Sequence, residues 1–149
     1  MNANAKKPDR KPLLAAAAIL LALTGLLLVW QAGNGRAAAP VVEIFYLPHR
    51  PALAVVAKVE AVAAEFSGIE VRKYSFEDAV GRRLAAEYGL TEHMPVALFI
   101  NGRDRFTVAG RALSLRNFPK GDAFVPMYSG EWDYPDLRAI LGELGGGRR

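Results

Sequence analysis

The sequence contains no cysteine and only two histidines, His49 and His93. Without cysteine the chain can form no disulfide, no thiolate nucleophile and no cysteine-ligated metal site. Two histidines supply fewer ligands than the three or four that a zinc site needs. The composition therefore excludes thiol–disulfide oxidoreductase activity, and we predict no metal site, no cofactor and no catalytic residue for the leading hypothesis below.

The charges also lack the pattern of a nucleic-acid-binding protein. The formal net charge is +4, and four basic residues fall close together before residue 12, at Lys6, Lys7, Arg10 and Lys11. From Pro40 onwards acidic and basic residues are nearly balanced and interspersed. Because no basic stripe with interleaved aromatics is present, we do not expect nucleic acid as a partner.

One long hydrophobic run stands near the start of the chain. Leu13 to Trp30 carries no charge, and as a helix it would be roughly 27 Å long, close to the hydrocarbon thickness of a bilayer. The basic residues before it predict a cytoplasmic N-terminus. We expect a cytoplasmic tail (1–12), a transmembrane anchor (13–30), a flexible linker (31–40) and a domain exposed outside the cytoplasm.

A cleaved signal peptide is the alternative interpretation of this run. Ala37-Ala38-Ala39 matches the small-residue pattern of a cleavage site, with Pro40 as the first mature residue. Either interpretation places the residues after about 40 on the extracytoplasmic or periplasmic side of the plasma or inner membrane. Only the anchored form is a single-pass membrane protein.

Strand and helix patterns alternate through the rest of the chain. Strands are predicted at 41–47, 69–76 and 96–100, and helices at 52–66, 77–88 and 136–144. In the second helix Val80, Leu84 and Tyr88 are expected to face inward. Strands that are separated by helices of this length imply right-handed parallel crossovers.

The stretch from Pro95 to Gly102 predicts the centre of the sheet. Five consecutive apolar residues, Val96 to Ile100, are typical of a strand buried on both faces. Asn101-Gly102 is a strong signal for a tight turn into an antiparallel strand. The following segment, 103–122, is less regular, with strand pieces at 106–108 and 112–115; a further short strand is predicted at 124–128.

The order of these elements, together with four local features, resembles the thioredoxin-like superfamily. The features are an aromatic strand leading into a proline-containing turn and a helix, a helix ending in Tyr88-Gly89-Leu90, a proline before an apolar strand, and a Tyr-Ser-Gly-Glu segment before a leucine-rich helix. The resemblance covers residues 41–145, with 103–122 as an expanded segment and 146–149 as a flexible tail. It implies an α/β fold of three layers, in which a central mixed sheet is flanked by helices.

The resemblance also implies where a site would lie. In thioredoxin and disulfide-isomerase domains the proline equivalent to Pro95 is cis and faces the redox motif, so a cis Met94–Pro95 bond and a groove at Met94, Pro95 and Val96 are expected. The redox position reads Leu47-Pro48-His49-Arg50, in which Leu47 and Arg50 replace the cysteines of a Cys-Pro-His-Cys motif. A shift of one residue would make Pro48 and Pro51 the replaced pair.

The leading hypothesis is therefore a membrane-anchored protein- or peptide-binding, scaffold or chaperone-like module of the cell envelope. Phe118 and Trp132 are possible members of a partner-binding surface, although a core role is the favoured interpretation of each. A second hypothesis is an enzyme of non-thiol chemistry that uses His49, His93 and Arg50. A third is a structural subunit of a membrane complex, contacted through the anchor helix.

Overall fold

The computed structural model describes residues 39–91, 94–123 and 125–145. Several predictions concern residues outside these ranges, namely the cytoplasmic tail, the anchor, most of the linker, His93, Phe124 and residues 146–149. The elements are β1 (Val41–Tyr46), α1 (Arg50–Ala64), β2 (Glu70–Ser75), α2 (Ala79–Glu87), β3 (Val96–Ile100), β4 (Arg105–Val108), β5 (Arg111–Ser114), a 3₁₀ turn (Pro126–Tyr128) and α3 (Tyr134–Glu143). Within these ranges no helix is long and apolar enough to cross a membrane.

The main sheet has three strands in the order β2-β1-β3. β1 and β2 are parallel, which confirms the first predicted crossover. β3 runs antiparallel to β1, so the prediction of a second parallel crossover is wrong. The reason is that the nine-residue α2 does not carry the chain to the far end of the sheet. The chain returns to the end where β2 finished, and there the Leu47 N–H donates to the Pro95 carbonyl.

Helices cover both faces of this sheet, so the predicted α/β class is confirmed. On one face Val42 and Ile44 of β1 and alternate residues of β3 belong to a core cluster that includes residues of α1 and α3. On the opposite face Phe45, Ala97 and Phe99 cluster with Ala85 of α2. Because successive strand residues point to opposite faces, an apolar run that is buried on both sides follows directly.

The residues after β3 do not continue as a simple hairpin. Asn101 and Gly102 adopt positive φ angles of 51° and 75°, so the predicted tight turn is present. Directly after the turn, Arg103 pairs back with β3, its carbonyl accepting from the Ile100 N–H at 2.8 Å. The chain then forms β4 and β5, which pair with each other as a separate two-stranded sheet and confirm the two predicted strand pieces.

Two further expectations are corrected. The segment predicted as a strand at 124–128 contains a 3₁₀ turn, Pro126–Tyr128, in which the Ser129 N–H donates to the Pro126 carbonyl at 3.0 Å. Proline at the start of this turn has the fixed φ that a helical turn needs and lacks a ladder donor. In α2, Val80 is 54% exposed, whereas Gly81 is buried.

Gly81 sets the distance between α2 and the end of β2. A Cβ added at this position would lie 1.8 Å from the Ser75 carbonyl oxygen, which is closer than atoms can approach. The helix backbone therefore rests directly on the strand backbone. A side chain here would push the two elements apart.

We predict that Gly81→Ala destabilises the fold by about 1–3 kcal/mol, the usual cost of overpacking a close contact. Gly142→Ala in α3 is the matched control, because its added Cβ would meet only a Phe66 ring atom at 3.8 Å. There the gain in helix propensity is expected to leave stability unchanged or raised by up to about 1 kcal/mol. Urea denaturation of both variants checks this, and equal effects would contradict the account.

Candidate functional site

The structure places Leu47, at the start of the predicted Leu47–Arg50 site, next to Pro95. The Leu47 N–H donates to the Pro95 carbonyl at 3.0 Å. The row of backbone hydrogen bonds continues from the Asn117 N–H to the Val96 carbonyl at 2.8 Å and from the Phe118 N–H to the Tyr128 carbonyl at 2.9 Å. The predicted site residues that the structure describes around Leu47 and Pro95 thus share one end of the sheet.

At this end His49 serves as the N-cap of α1. Its Nδ1 accepts from the Ala52 N–H at 3.5 Å, a long bond, and the side chain is exposed, as are Pro48 and Arg50. No three His, Asp or Glu residues of the described ranges group closely enough to hold a metal ion. Because His93 lies outside those ranges, the pairing of the two histidines stays a prediction.

The Met94–Pro95 peptide bond is trans, as are all peptide bonds between described residues. This corrects the expectation of a cis proline. Trans is the favoured state of such bonds by about 0.5–1 kcal/mol. With this geometry the Pro95 carbonyl adds one hydrogen bond to the β1–β3 pairing. The resemblance to the thioredoxin-like superfamily therefore does not extend to the cis proline.

The proposed groove at Met94, Pro95 and Val96 is largely closed. Pro95 and Val96 are buried, and their carbonyls already accept from Leu47 and Asn117. Met94 is half-buried, and its N–H donates to the Thr91 carbonyl at 3.1 Å. Of the three residues, Met94 alone has a partly exposed side chain that a peptide could contact.

Phe118 and Trp132 belong to the core, which was the favoured interpretation, and the possible interface role is corrected. They are 1% and 0% exposed. The Trp132 indole N–H donates to the Asn117 carbonyl at 3.1 Å, and its ring meets Tyr134 edge-on at 5.8 Å. Both aromatic side chains fix the segment around 117–134 against the sheet.

A cavity in the described part of the chain was not anticipated from the sequence. It is an open cleft of about 980 Å³, lined by the β4–β5 hairpin, the 129–131 turn and the C-terminal half of α3. Its volume falls within the range of ligand pockets, about 300–1,000 Å³. Its lining includes three arginines and two carboxylates, Arg103, Arg105, Arg116, Glu131 and Glu143, together with Phe106, Thr107, Ala112 and Ser114.

Three arginines give this cleft its positive side. Arg103 places its guanidinium over the Phe106 ring at 5.4 Å. Arg105 is exposed, and neither side chain has an ion-pair or hydrogen-bond partner within the described ranges. Arg116 is paired with Asp104 and lies 5.8 Å from the Phe99 ring centroid. The alternation of Arg103, Arg105 and Thr107 is the sequence signal that could have indicated this face.

The hairpin is held against α3 by Arg111. One guanidinium nitrogen donates to both carboxylate oxygens of Asp136, at 2.7 and 2.8 Å, and the other to the Glu131 carbonyl at 2.9 Å. Burial alone would raise the pKa of Asp136, but the hydrogen bonds from Arg111 and the Asp133 backbone lower it below its ordinary value. The ion pair therefore ties the hairpin to the start of α3 at neutral pH.

A second buried carboxylate lies on the opposite side of the sheet. Glu43 of β1 is 9% exposed and accepts from the Tyr88 hydroxyl at 2.6 Å. This hydrogen bond, helped by burial, raises the pKa of Tyr88 to about 12. The Tyr88 ring also packs on Phe45 and Phe99. The pair thus satisfies a buried charge inside the aromatic cluster beneath α2.

The described residues define an α/β domain with a three-stranded mixed sheet, a separate hairpin and an arginine-lined cleft. Comparison of the chain with models of known protein families and with curated proteins found no match.

We predict that stability falls as the pH rises from about 10 to about 12. The pKa of Tyr88 is higher in the folded state than its ordinary value of 10.0. Tyr88 therefore contributes fully to stability below about pH 10, and this contribution is lost as the pH rises through the raised pKa. Burial and the hydrogen bond to Asp122 raise the pKa of Tyr134 in the same direction. Urea denaturation across this pH range measures the effect.

Tyr88→Phe isolates the Glu43 pair. It should lower stability by about 1–3 kcal/mol near neutral pH, because a buried carboxylate loses its donor, and should flatten the alkaline decline. Tyr74→Phe is the control, since Tyr74 also packs on Phe45 but donates no side-chain hydrogen bond to a described residue. An alkaline decline as steep in Tyr88→Phe as in the parent chain would contradict the assignment.

Proposed function

We propose that this chain is a non-redox, thioredoxin-like module that binds proteins or peptides. Residues 13–30 anchor it in the plasma or inner membrane, and the domain is exposed outside the cytoplasm. The observation that carries the binding function is the open cleft of about 980 Å³, whose Arg103 and Arg105 have no ion-pair or hydrogen-bond partner in the described structure.

The fold supports the thioredoxin-like part of this proposal. β1 and β2 are parallel, β3 is antiparallel to them, and helices lie on both faces, as in a three-layer arrangement. The loop Leu47–Arg50 and Pro95 are adjacent, as the resemblance implies. The trans bond at Pro95 and the missing cysteines are the departures, and both concern redox chemistry rather than the scaffold.

The sequence favours a binding function over disulfide exchange. Dithiol–disulfide exchange needs a thiolate to attack sulfur, and the sequence has none. What remains is a folded scaffold with a polar, open cleft. Such clefts suit extended polypeptide segments, because an exposed strand edge supplies main-chain hydrogen bonds while neighbouring pockets select side chains.

The proposed location rests on the N-terminal sequence. The uncharged run from Leu13 to Trp30, preceded by a basic segment, is of the length and charge pattern of a single-pass anchor. An envelope location also fits a module that collects or presents other proteins at the membrane surface.

Peptide titration of the full-length chain in a mild detergent tests the function. We expect saturable binding, in the micromolar range, of some members of a panel of capped fluorescent peptides with acidic, basic and apolar compositions. Affinity should be the same in reducing and oxidising buffer, because no thiol takes part. If no member of the panel binds with saturation, the proposed function fails.

A further inference from the structure

The β4–β5 hairpin forms a sheet of only two strands, so each strand has one edge without a strand partner. We propose that the outer edge of β4 binds an extended, acidic peptide segment of a partner protein as a third strand. The inference rests on the proposed binding function and names its site and its ligand chemistry.

The hairpin turn decides which backbone groups point outward. Ala109 and Gly110 have φ angles of 49° and 77°, the geometry of a two-residue turn closed by the hydrogen-bonded pair Val108 and Arg111. Since pairs alternate along an antiparallel ladder, Thr107 and Arg105 occupy non-hydrogen-bonded positions, with N–H and C=O directed away from β5. The Ser114 N–H, opposite Arg105, points outward on the other edge by the same rule.

The outer edge of β5 is already occupied. The Ser114 N–H donates to the Glu131 carboxylate at 3.2 Å, so a side chain takes the place of a neighbouring strand. Arg111 donates to the Glu131 carbonyl at 2.9 Å and keeps this segment beside the hairpin. A peptide could add here only by breaking both contacts.

The outer edge of β4 is open. Arg105 and Thr107 are exposed, their backbone groups point away from β5, and no other backbone group of the described ranges bonds to them. Both residues line the cleft. An added strand would therefore gain main-chain hydrogen bonds without displacing an existing partner.

Charge selects an acidic peptide for this edge. Side chains of an added strand would lie about 5 Å from those of Arg105 and Thr107, within reach of a carboxylate. Arg105 has no ion pair in the described structure and Arg103 has only the Phe106 ring. Guanidinium groups bind carboxylates in a bidentate manner, whereas a basic peptide would meet like charge.

A matched pair of proline variants tests the edge in the full-length chain in detergent. Thr107 and Ala112 face each other across the hairpin and both line the cleft, so the pair differs in the strand edge that it alters. Each should have its N–H on an outer edge, where proline is tolerated. The probe is a capped fluorescent peptide of alternating Asp and Val, with a Lys and Val peptide as its counterpart. Thr107→Pro should weaken binding of the acidic probe about tenfold, and Ala112→Pro should leave it within about twofold of the parent.

A charge series tests the ligand chemistry without proline. Arg105→Gln should weaken the acidic probe about three- to tenfold, and added salt should reduce the difference. Arg83→Gln is the control for net charge, because Arg83 is an exposed residue of α2 outside the cleft. The Arg83→Gln variant should bind the acidic probe with the same affinity as the parent chain.

Three results would overturn the inference. They are equal effects of the two proline variants, unchanged affinity in Arg105→Gln, and preference for the Lys and Val peptide. If the acidic probe bound only through its charges to the arginines, Arg105→Gln would weaken its binding and Thr107→Pro would not. Binding that survives every hairpin change would leave the proposed function standing and remove this site, whereas no saturable peptide binding would remove both.

Discussion

The fold of this domain depends on hydrogen-bonding partners for the backbone of β3 along both of its edges. All five of its residues are buried, from 0% to 3% exposed, and an unpaired backbone group at such a place costs about 1–3 kcal/mol. β1 supplies one edge. On the other edge Leu98 donates to the Leu115 carbonyl, and the Asn117 N–H donates to the Val96 carbonyl. The residues after the hairpin, rather than β4 itself, complete the pairing of β3.

This pairing displaces the hairpin from the main sheet. Arg105 to Ser114 leave the sheet after Arg103 and return at Leu115. The ion pair of Arg111 with Asp136 then fixes the displaced hairpin to α3. An edge strand is ordinarily protected by charge, bulges or a cover. Here β5 is covered by Glu131, while β4 keeps an accessible edge beside arginines.

Local patterns predicted the elements well, because their signals lie within single segments. The apolar run of β3, the Asn101-Gly102 turn and the two pieces of the hairpin are all encoded within a few residues. The orientation of β3 and the exposure of Val80 were missed, since they depend on where α2 packs. That packing includes a close backbone contact at Gly81, which no periodicity reveals.

The site was harder to predict than the fold. Aromatic residues in a loop-rich segment left a surface role open beside the favoured core role, and the fully buried Trp132 indole, with its carbonyl partner, decides for the core. The cis proline was carried over from the resemblance and is trans here. The cleft arises from the tertiary position of the hairpin, so the alternation of Arg103, Arg105 and Thr107 could indicate an exposed strand face but not a cleft.

Hydrogen exchange at single-residue resolution tests the central claim most directly. In the free full-length chain, the outward amides of Arg105 and Thr107 should exchange fast, while the inward amide of Phe106 is protected by β5. Saturation with the acidic probe peptide should slow exchange at Arg105 and Thr107. Protection that appears instead around Met94, or nowhere on β4, would contradict the account.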